Sequence, residues 1–188
     1  MNDRFWWPLH DWVTYKVPVD EGAVLLPEDY IAPGFVPDVT ELWFSFVHGR
    51  KDRRRVADFS CLAGGCVFFV NERAHRVFAD LFARHGRSYR VRCGDEPYYM
   101  VLIDTRHDAV DLARSKFERS GLEERLEDDI SRVLRITLKV GFKTDDDIFR
   151  PDGAFALSTS IIVSDRFKQR YEQAGLTGFF YKATNGGR

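Results

Sequence analysis

Three arginines in a basic segment near residue 50 are the first candidates for binding another molecule. Arg50, Arg53 and Arg54 lie in segment 50–55, which holds five basic residues and one acidic residue. Closely spaced guanidinium groups bind carboxylates and phosphates through charge-assisted hydrogen bonds. Such a segment is also typical of a solvated hairpin tip. We predict its three arginines as candidate partner-binding residues.

An acidic run much later in the chain has the opposite charge. Asp145, Asp146 and Asp147 are consecutive, so they lack the spaced carboxylates and the glycine of a calcium-binding loop. We therefore assign no metal to them. A solvated loop is the ordinary role of such a run, and recognition of a partner is its functional alternative. On that alternative, all three are candidate partner-binding residues.

The sequence contains no recognisable catalytic or metal-binding pattern. The five histidines are scattered, with no HExxH motif and no i, i+4 pair that would place two ligands on one helix face. Cys61 and Cys66 have four residues between them, but Cys93 is the only third thiol, and a structural zinc site usually needs four ligands. An enzyme that used Cys66 with His75 would need a low thiol pKa and a base within reach. We predict no catalytic residue, no metal and no cofactor.

Length and charge restrict the function classes further. The 188 residues fit one domain, and 28 Lys and Arg against 29 Asp and Glu leave a formal charge of −1. This balance argues against a dedicated nucleic-acid or membrane-surface binder. No apolar run approaches the roughly 20 residues needed to cross a bilayer, and residues 1–8 do not form a secretory signal. We predict a cytoplasmic protein with reduced thiols.

The elements that must position these residues are clearest where a short apolar strand leads into a capped helix. Such a strand occupies residues 67–70, and Asn71 follows it as a good N-cap. Apolar residues at i, i+3, i+4, i+7 and i+8 between Ala74 and Phe82 predict an amphipathic helix. We expect Gly86 to end this helix in a left-handed conformation.

A second strand and helix of the same kind begin at residue 161. Ser164 is placed to cap the helix, and Gly175 to end it. A shift of 93 residues, the difference between positions 71 and 164, also places Arg73 over Arg166. Any strand that leads into a capped helix has this appearance, so an internal duplication and a coincidence both remain open.

The remaining segments predict strands and turns. We expect a strand at 42–47 that is buried on both faces, a hairpin that returns at 56–59, and a strand at 133–140. A short helix is predicted around Leu122 and Leu126. The expected fold class is α+β, with a mixed, mostly antiparallel sheet and two main amphipathic helices.

Several short elements together resemble a known family. Phe149-Arg150 precedes the strand and helix of 161–168, and Gly-Leu-Thr-Gly-Phe follows at 175–179. Tyr98-Tyr99 and segment 110–117 add to the pattern. This combination resembles the signature of a bacterial immunity-protein family of polymorphic toxin systems. The likeness identifies a fold more directly than a role, because none of its motifs is catalytic.

The resemblance covers residues 60–182. We expect a single immunity-type domain over 1–188, in which 1–60 is a variable, strand-rich part and 183–188 is a disordered tail. The family implies a cytoplasmic antidote that binds a cognate toxin domain and blocks it stoichiometrically. Exposed aromatic residues near the N-terminus would suit such contacts, namely Trp6, Trp7 and Trp12, but they equally suit ordinary core and surface positions. The alternative is a small-ligand or nucleic-acid binding module that uses the basic segment 50–55.

Overall fold

The computed structural model of the protein describes residues 4–11, 14–16, 18–20, 32, 34–40, 42–46, 55–62, 65–119, 130–153 and 155–184. The helices among them are α1 (Glu72–His85), α2 (Phe155–Ser158) and α3 (Asp165–Gln173). The strands among them are β1 (Phe5–His10), β2 (Val19–Asp20), β3 (Trp43–Ser45), β4 (Phe59–Leu62), β5 (Val67–Asn71), β6 (Gly86–Cys93), β7 (Glu96–Ile103), β8 (Arg106–His107), β9 (Lys116–Arg119), β10 (Ile130–Arg135), β11 (Ile148–Pro151), β12 (Ile162–Ser164) and β13 (Phe179–Ala183).

The larger sheet contains six of the described strands, in the order β2–β3–β6–β7–β5–β4. Its neighbouring strands are antiparallel except for β3 and β6, which run parallel. β5 is apolar along its length because both faces of the sheet are packed there. Val67 and Phe69 join one buried cluster, and Phe68 and Val70 join another. β4 pairs directly with β5 as an antiparallel hairpin.

The helix α1 covers one face of the larger sheet and begins as predicted. The Asn71 side chain accepts a 2.9 Å hydrogen bond from the Ala74 amide. Its end differs from the prediction, because Gly86 has an extended backbone, with φ −175° and ψ −157°. A Cβ atom on Gly86 would lie 2.0 Å from the Leu102 carbonyl oxygen. The close approach of β7, and not a left-handed turn, therefore explains this glycine.

The second sheet brings the two ends of the chain together. Its described strands have the order β13–β1–β12–β11–β8, and β11 with β8 is its parallel pair. β1 lies between two strands from the C-terminal part, with Phe5 opposite Ser164 and Trp6 opposite Ala183. Trp6 and Trp7 are half-buried in this position. Their position agrees with a partly core role more than with freely exposed contacts, and Trp12 lies outside the described residues.

The helix α3 ends in a Schellman motif, as its sequence predicts. Gly175 has a positive φ of 59°. The Leu176 amide donates to the Tyr171 carbonyl at 3.2 Å, and the Gly175 amide donates to the Glu172 carbonyl at 3.0 Å. Leu176 is buried in the central cluster. The glycine and the leucine after it thus end the helix and fold the chain back onto the core.

Three clusters of buried side chains hold the described elements together. The central cluster joins the facing sides of the two sheets through α1 and α3, where the rings of Phe78 and Phe167 stack with centroids 4.2 Å apart. A second cluster lies beyond the larger sheet around Phe69 and Met100. A third lies beyond the smaller sheet around Phe149. Most of the phenylalanines belong to these clusters. Each fully buried one contributes about 1.5–3 kcal/mol of transfer free energy.

A set of hydrogen bonds ties the β4–β5 hairpin to the start of α1. Asp58, directly before β4, accepts a 3.0 Å bond from the Asn71 amide through its carbonyl and a 2.9 Å bond from Asn71 Nδ2 through its carboxylate. Arg73, in the first turn of α1, approaches the same carboxylate at 3.4 Å. One buried acid therefore connects the strand, the N-cap and the helix.

The smaller sheet repeats this arrangement. Asp147, directly before β11, accepts a 2.9 Å bond from the Ser164 amide through its carbonyl, and its carboxylate accepts bonds from Ser164 Oγ and, at 2.7 Å, from Arg166 Nε. The antiparallel order β6–β7–β5–β4 corresponds to β13–β1–β12–β11, with β1 in the place of β7. The likeness at a shift of 93 residues therefore extends to a four-stranded sheet, its helix and their shared hydrogen bonds.

Two of the predicted strands have different partners or bounds. Phe59 pairs with Val70 in the β4–β5 hairpin, and not with the strand around residue 44. The strand predicted at 133–140 ends at Arg135, after which Leu138 forms an isolated bridge with Val110. Beyond the strand, Ile136 and Leu138 are buried in the third cluster.

The predicted α+β class is confirmed, with mostly antiparallel sheets and α1 and α3 as the two main helices. The helix expected around Leu122 and Leu126 lies outside the described residues, and so do residues 185–188 of the predicted tail. The first two residues of that predicted disordered tail (183–188) are ordered, because Ala183 belongs to β13 and Thr184 is buried and donates to the Phe5 carbonyl. The single-domain assignment stays a prediction. None of the described helices combines the length and apolarity needed to span a bilayer.

Candidate functional site

The predicted acidic run lies in the loop that leads into β11, where its three side chains have different environments. Asp145 is exposed, Asp146 is half-buried, and Asp147 is buried against Ser164 and Arg166. The Asp147 carboxylate is occupied by internal donors that hold the start of α3. Of the three, Asp145 therefore presents the most accessible carboxylate to a partner.

Asp146 is the centre of a polar cluster formed with His85, Thr105, His107 and Thr144, which we call the His–Asp cluster. Its Oδ2 lies 2.7 Å from His107 Nε2 and accepts a 3.2 Å bond from Thr144 Oγ1. Its Oδ1 lies 3.7 Å from His85 Nδ1, which is also 3.2 Å from Thr105 Oγ1. The cluster connects the end of α1 to β8 and to the loop before β11.

The His–Asp cluster contains groups suited to acid–base chemistry, but its geometry favours a structural role. His85 is only 2% exposed. Burial lowers the pKa of its ring, and Asp146 partly opposes that shift. Burial opposes ionisation of Asp146, but hydrogen bonds from His107 and Thr144 outweigh it and lower the pKa of the carboxyl. In the part of the chain described, no three or more His, Cys, Asp or Glu side chains are arranged to hold a metal ion.

The thiol considered as a nucleophile is held in an unreactive form. Burial raises the pKa of Cys66 to about 12, and the charge of nearby Arg150 opposes the shift only in part. Cys66 belongs to the cluster beyond the larger sheet. His75 lies on the other side of that sheet, on α1, with its ring stacked on Tyr99 at 3.8 Å between centroids. The sheet therefore separates the proposed nucleophile from its base.

The predicted basic contacts lie outside the described residues. Arg50, Arg53 and Arg54 fall in the undescribed segment 47–54, so their partner-binding role stays a prediction. Arg55, which follows, is exposed and forms an isolated parallel bridge with Tyr15.

A further surface, not predicted from the sequence, lies where β3, β6 and β7 meet. Trp43 is in register with Arg92, which pairs with Pro97, and the neighbouring Arg90 pairs with Tyr99. Residues in register point to the same side of a sheet, so these five side chains share one face, which we call the open face. Trp43 is 50% exposed, and both arginines are exposed.

The open face begins where the cover provided by α1 ends. The stacked pair of His75 and Tyr99 marks this border. On the opposite side of the same strands, Phe44 and its neighbours are buried in the second cluster. The expectation that the strand at 42–47 is buried on both faces is therefore wrong at Trp43. The alternation of polar and apolar residues in 90–93 is the signal that indicates one wet face.

The open face borders a depression of about 840 Å³ whose lining includes Trp43, Arg90, Arg92 and Asp95. Tryptophan and arginine are the residue types that most often dominate the energy of protein interfaces. Asp95 and Glu96, at the β6–β7 turn, are exposed and add the opposite charge to the lining of this depression. The composition is that of a surface suited to contacts with another protein.

The fold and this surface together define an α+β scaffold with an exposed face of interface composition. The chain belongs to the Imm11 family of immunity proteins, whose family model matches residues 10–185. This match confirms the resemblance noted from the C-terminal elements. It associates the chain with toxin immunity and, in general terms, with a toxin partner. A search among curated proteins finds no match.

Proposed function

We propose that the chain binds a cognate toxin domain and neutralises it by stoichiometric occlusion. The observation that carries this proposal is the immunity-family match over residues 10–185. Occlusion needs a rigid scaffold, about 1,200–2,000 Å² of buried interface and a few aromatic or arginine anchors. The packed sheets and the open face are consistent with those needs. The protein acts in the cytoplasm and makes or breaks no covalent bond in the toxin.

The six residues predicted from charge remain part of this proposal. Arg50, Arg53 and Arg54 supply a basic contact, and Asp145 supplies an exposed carboxylate. Asp146 and Asp147 contribute through the loop that they hold in place. Complementary charge on the toxin would then speed its capture.

A titration with the toxin domain encoded beside the gene tests the proposal. Co-expression is expected to restore growth of cells that make the toxin, and the purified proteins are expected to form a one-to-one complex. Toxin activity should fall to zero at one equivalent of the chain, because each molecule blocks one toxin. A fully active toxin at excess folded chain would overturn the proposal. Inactivation of many toxin molecules by one chain would instead indicate an enzyme.

A further inference from the structure

We propose that the open face binds the toxin and that it accepts an acidic segment of that protein. This inference rests on the proposed function and assigns its interface to particular residues. Trp43 on β3 is the apolar anchor, Arg90 and Arg92 on β6 bind carboxylates, and Pro97 and Tyr99 lie beside the arginines on β7.

The two arginines of the open face have no internal carboxylate partner in the described part of the chain. Arg90 and Arg92 form no ion pair with any described residue. Arg87, on the same strand, differs from them because its Nε and Nη2 donate to Asp104 at 2.7 and 2.8 Å. On this strand, Arg87 is therefore paired with a carboxylate of the same chain, whereas Arg90 and Arg92 are not. Guanidinium groups on one side of a strand are well placed to receive carboxylates from outside.

Trp43 adds an apolar contact beside these charges. It is 50% exposed and is in register with Arg92. A half-exposed tryptophan gains free energy when a partner covers it, and its flat ring loses little conformational freedom. The depression of about 840 Å³ beside it has room for side chains of the partner. An acidic segment with an apolar side chain matches both features.

Two acidic residues that line the same depression favour a protein over a nucleic acid. Asp95 and Glu96 are exposed at the turn that follows Arg92. A nucleic acid is uniformly negative, so its phosphates would be repelled by these two carboxylates. A protein segment can place a basic residue there and its acidic residues over the arginines. The charge pattern therefore also sets the direction in which the segment lies.

Binding kinetics of variants with the toxin domain encoded beside the gene test this inference. Trp43→Ala is expected to raise Kd at least about 30-fold, as for an anchor residue. The double variant R90E/R92E is expected to slow association about tenfold or more at low salt, with a smaller effect at high salt. The control R114E/K116E makes the same charge change at two exposed positions, one just before β9 and one at its first residue, and should stay within about threefold of wild type.

The outcomes separate the two proposals. If the wild-type chain fails to bind or neutralise the toxin, the proposed function fails and the inference fails with it. If the wild type binds and both open-face variants bind equally well, the function stands and the inference is overturned. Circular dichroism checks folding, and R90Q/R92Q replaces R90E/R92E if the charge reversal unfolds the chain.

Two other occupants of the face are distinguishable in the same experiments. Retention of a labelled 20-base-pair DNA duplex by the wild type, but not by R90E/R92E, would assign the face to nucleic acid. A concentration-dependent dimer that Trp43→Ala abolishes would assign it to a second copy of the chain. Either result would overturn the inference. Recovery of R90E/R92E binding by lysines in place of acidic residues of the toxin would support it directly.

Discussion

Asp58 receives hydrogen bonds from parts of the chain that are far apart in sequence. Besides Asn71 and Arg73, its carboxylate accepts bonds from the Thr177 amide at 3.0 Å and from Thr177 Oγ1 at 2.8 Å. Arg73 in turn donates to the Ala174 carbonyl at the end of α3. The threonine of the C-terminal Gly-Leu-Thr-Gly element thus has a structural role, because it satisfies a buried acid in the other half of the molecule.

A substitution at Gly86 tests whether β6 and β7 approach each other too closely for a side chain at this position. Gly86→Ala is expected to lower the free energy of unfolding by about 3 kcal/mol, because the new Cβ would meet the Leu102 carbonyl oxygen and force β6 and β7 apart. The control is Gly141→Ala, where φ is +77° and no atom lies within 4 Å of the new Cβ. It should cost about 1 kcal/mol of backbone strain. Urea denaturation measures both, and equal losses would contradict the steric explanation.

The repeated hairpin and helix is the main element of the fold. In each copy, an aspartate before the first strand accepts a hydrogen bond from the side chain that caps the helix. This bond orients the cap, which is needed because the first amides of a helix have no partner within the helix. The two helices also brace each other. Arg170 of α3 donates two bonds to Asp80 of α1, at 3.0 and 2.8 Å, beside the stacked rings of the central cluster.

Substitution of Asp147 tests whether this acid stabilises the start of α3. Asp147→Asn is expected to cost about 2 kcal/mol, because a neutral amide oxygen would replace the charged carboxylate oxygen Oδ1 that accepts the bonds of both Ser164 and Arg166. Asp58→Asn should cost a similar amount if the two copies are equivalent. The exposed Asp145→Asn should stay within about 0.5 kcal/mol of wild type. Thermal and urea unfolding provide the values, and a loss at Asp145 equal to that at Asp147 would refute the assignment.

At the scale of the whole molecule, the two copies are held together by more than their shared core. The His–Asp cluster joins the end of α1 to β8 and the loop before β11. β1 crosses from the N-terminus into the sheet that contains β12 and β13. Neither half can therefore be removed without exposing the buried face of the other.

Stability should depend on pH through the His–Asp cluster. Burial makes the pKa of His85 lower in the folded chain than its ordinary value of 6.5, so the unfolded chain takes up a proton first as the pH falls. The free energy of unfolding should therefore decrease as the pH drops below about 6.5 toward the folded pKa. Asp146, whose pKa is lowered from 3.8, contributes stability above that value and loses it as the pH falls through its folded pKa.

Substitution of His85 isolates this contribution. His85→Gln is expected to flatten the decline in unfolding free energy between about pH 7 and pH 5, whatever its effect at neutral pH. A residual slope should remain from His10 and His75, whose pKa values burial also lowers. Urea denaturation at half-unit pH steps measures the slope. An unchanged slope in the variant would show that His85 does not titrate differently on folding.

Local features of this chain were predictable because their causes lie within a few residues. Asn71 and Ser164 cap helices through bonds to amides three residues on, and Gly175 with Leu176 ends α3 within one turn. The strand patterns and the C-terminal elements likewise sufficed for the α+β class and the family. Asp145 to Asp147 were recognisable as a charged loop, but charge alone does not reveal which carboxylate faces inward.

The amino-acid order by itself determined the caps, the apolar stripes and the family membership, since each depends on neighbours along the chain. Only the tertiary structure decided that β1 completes the C-terminal sheet, that Asp147 is buried, and that Trp43 lies on an open face. These outcomes depend on pairings between distant segments, such as the bond of Asp58 to Thr177, 119 residues away. Such pairings depend on how the sheets and helices of the whole chain pack together. Packing between distant segments leaves no periodic pattern in the sequence, so it could not be predicted from neighbouring residues.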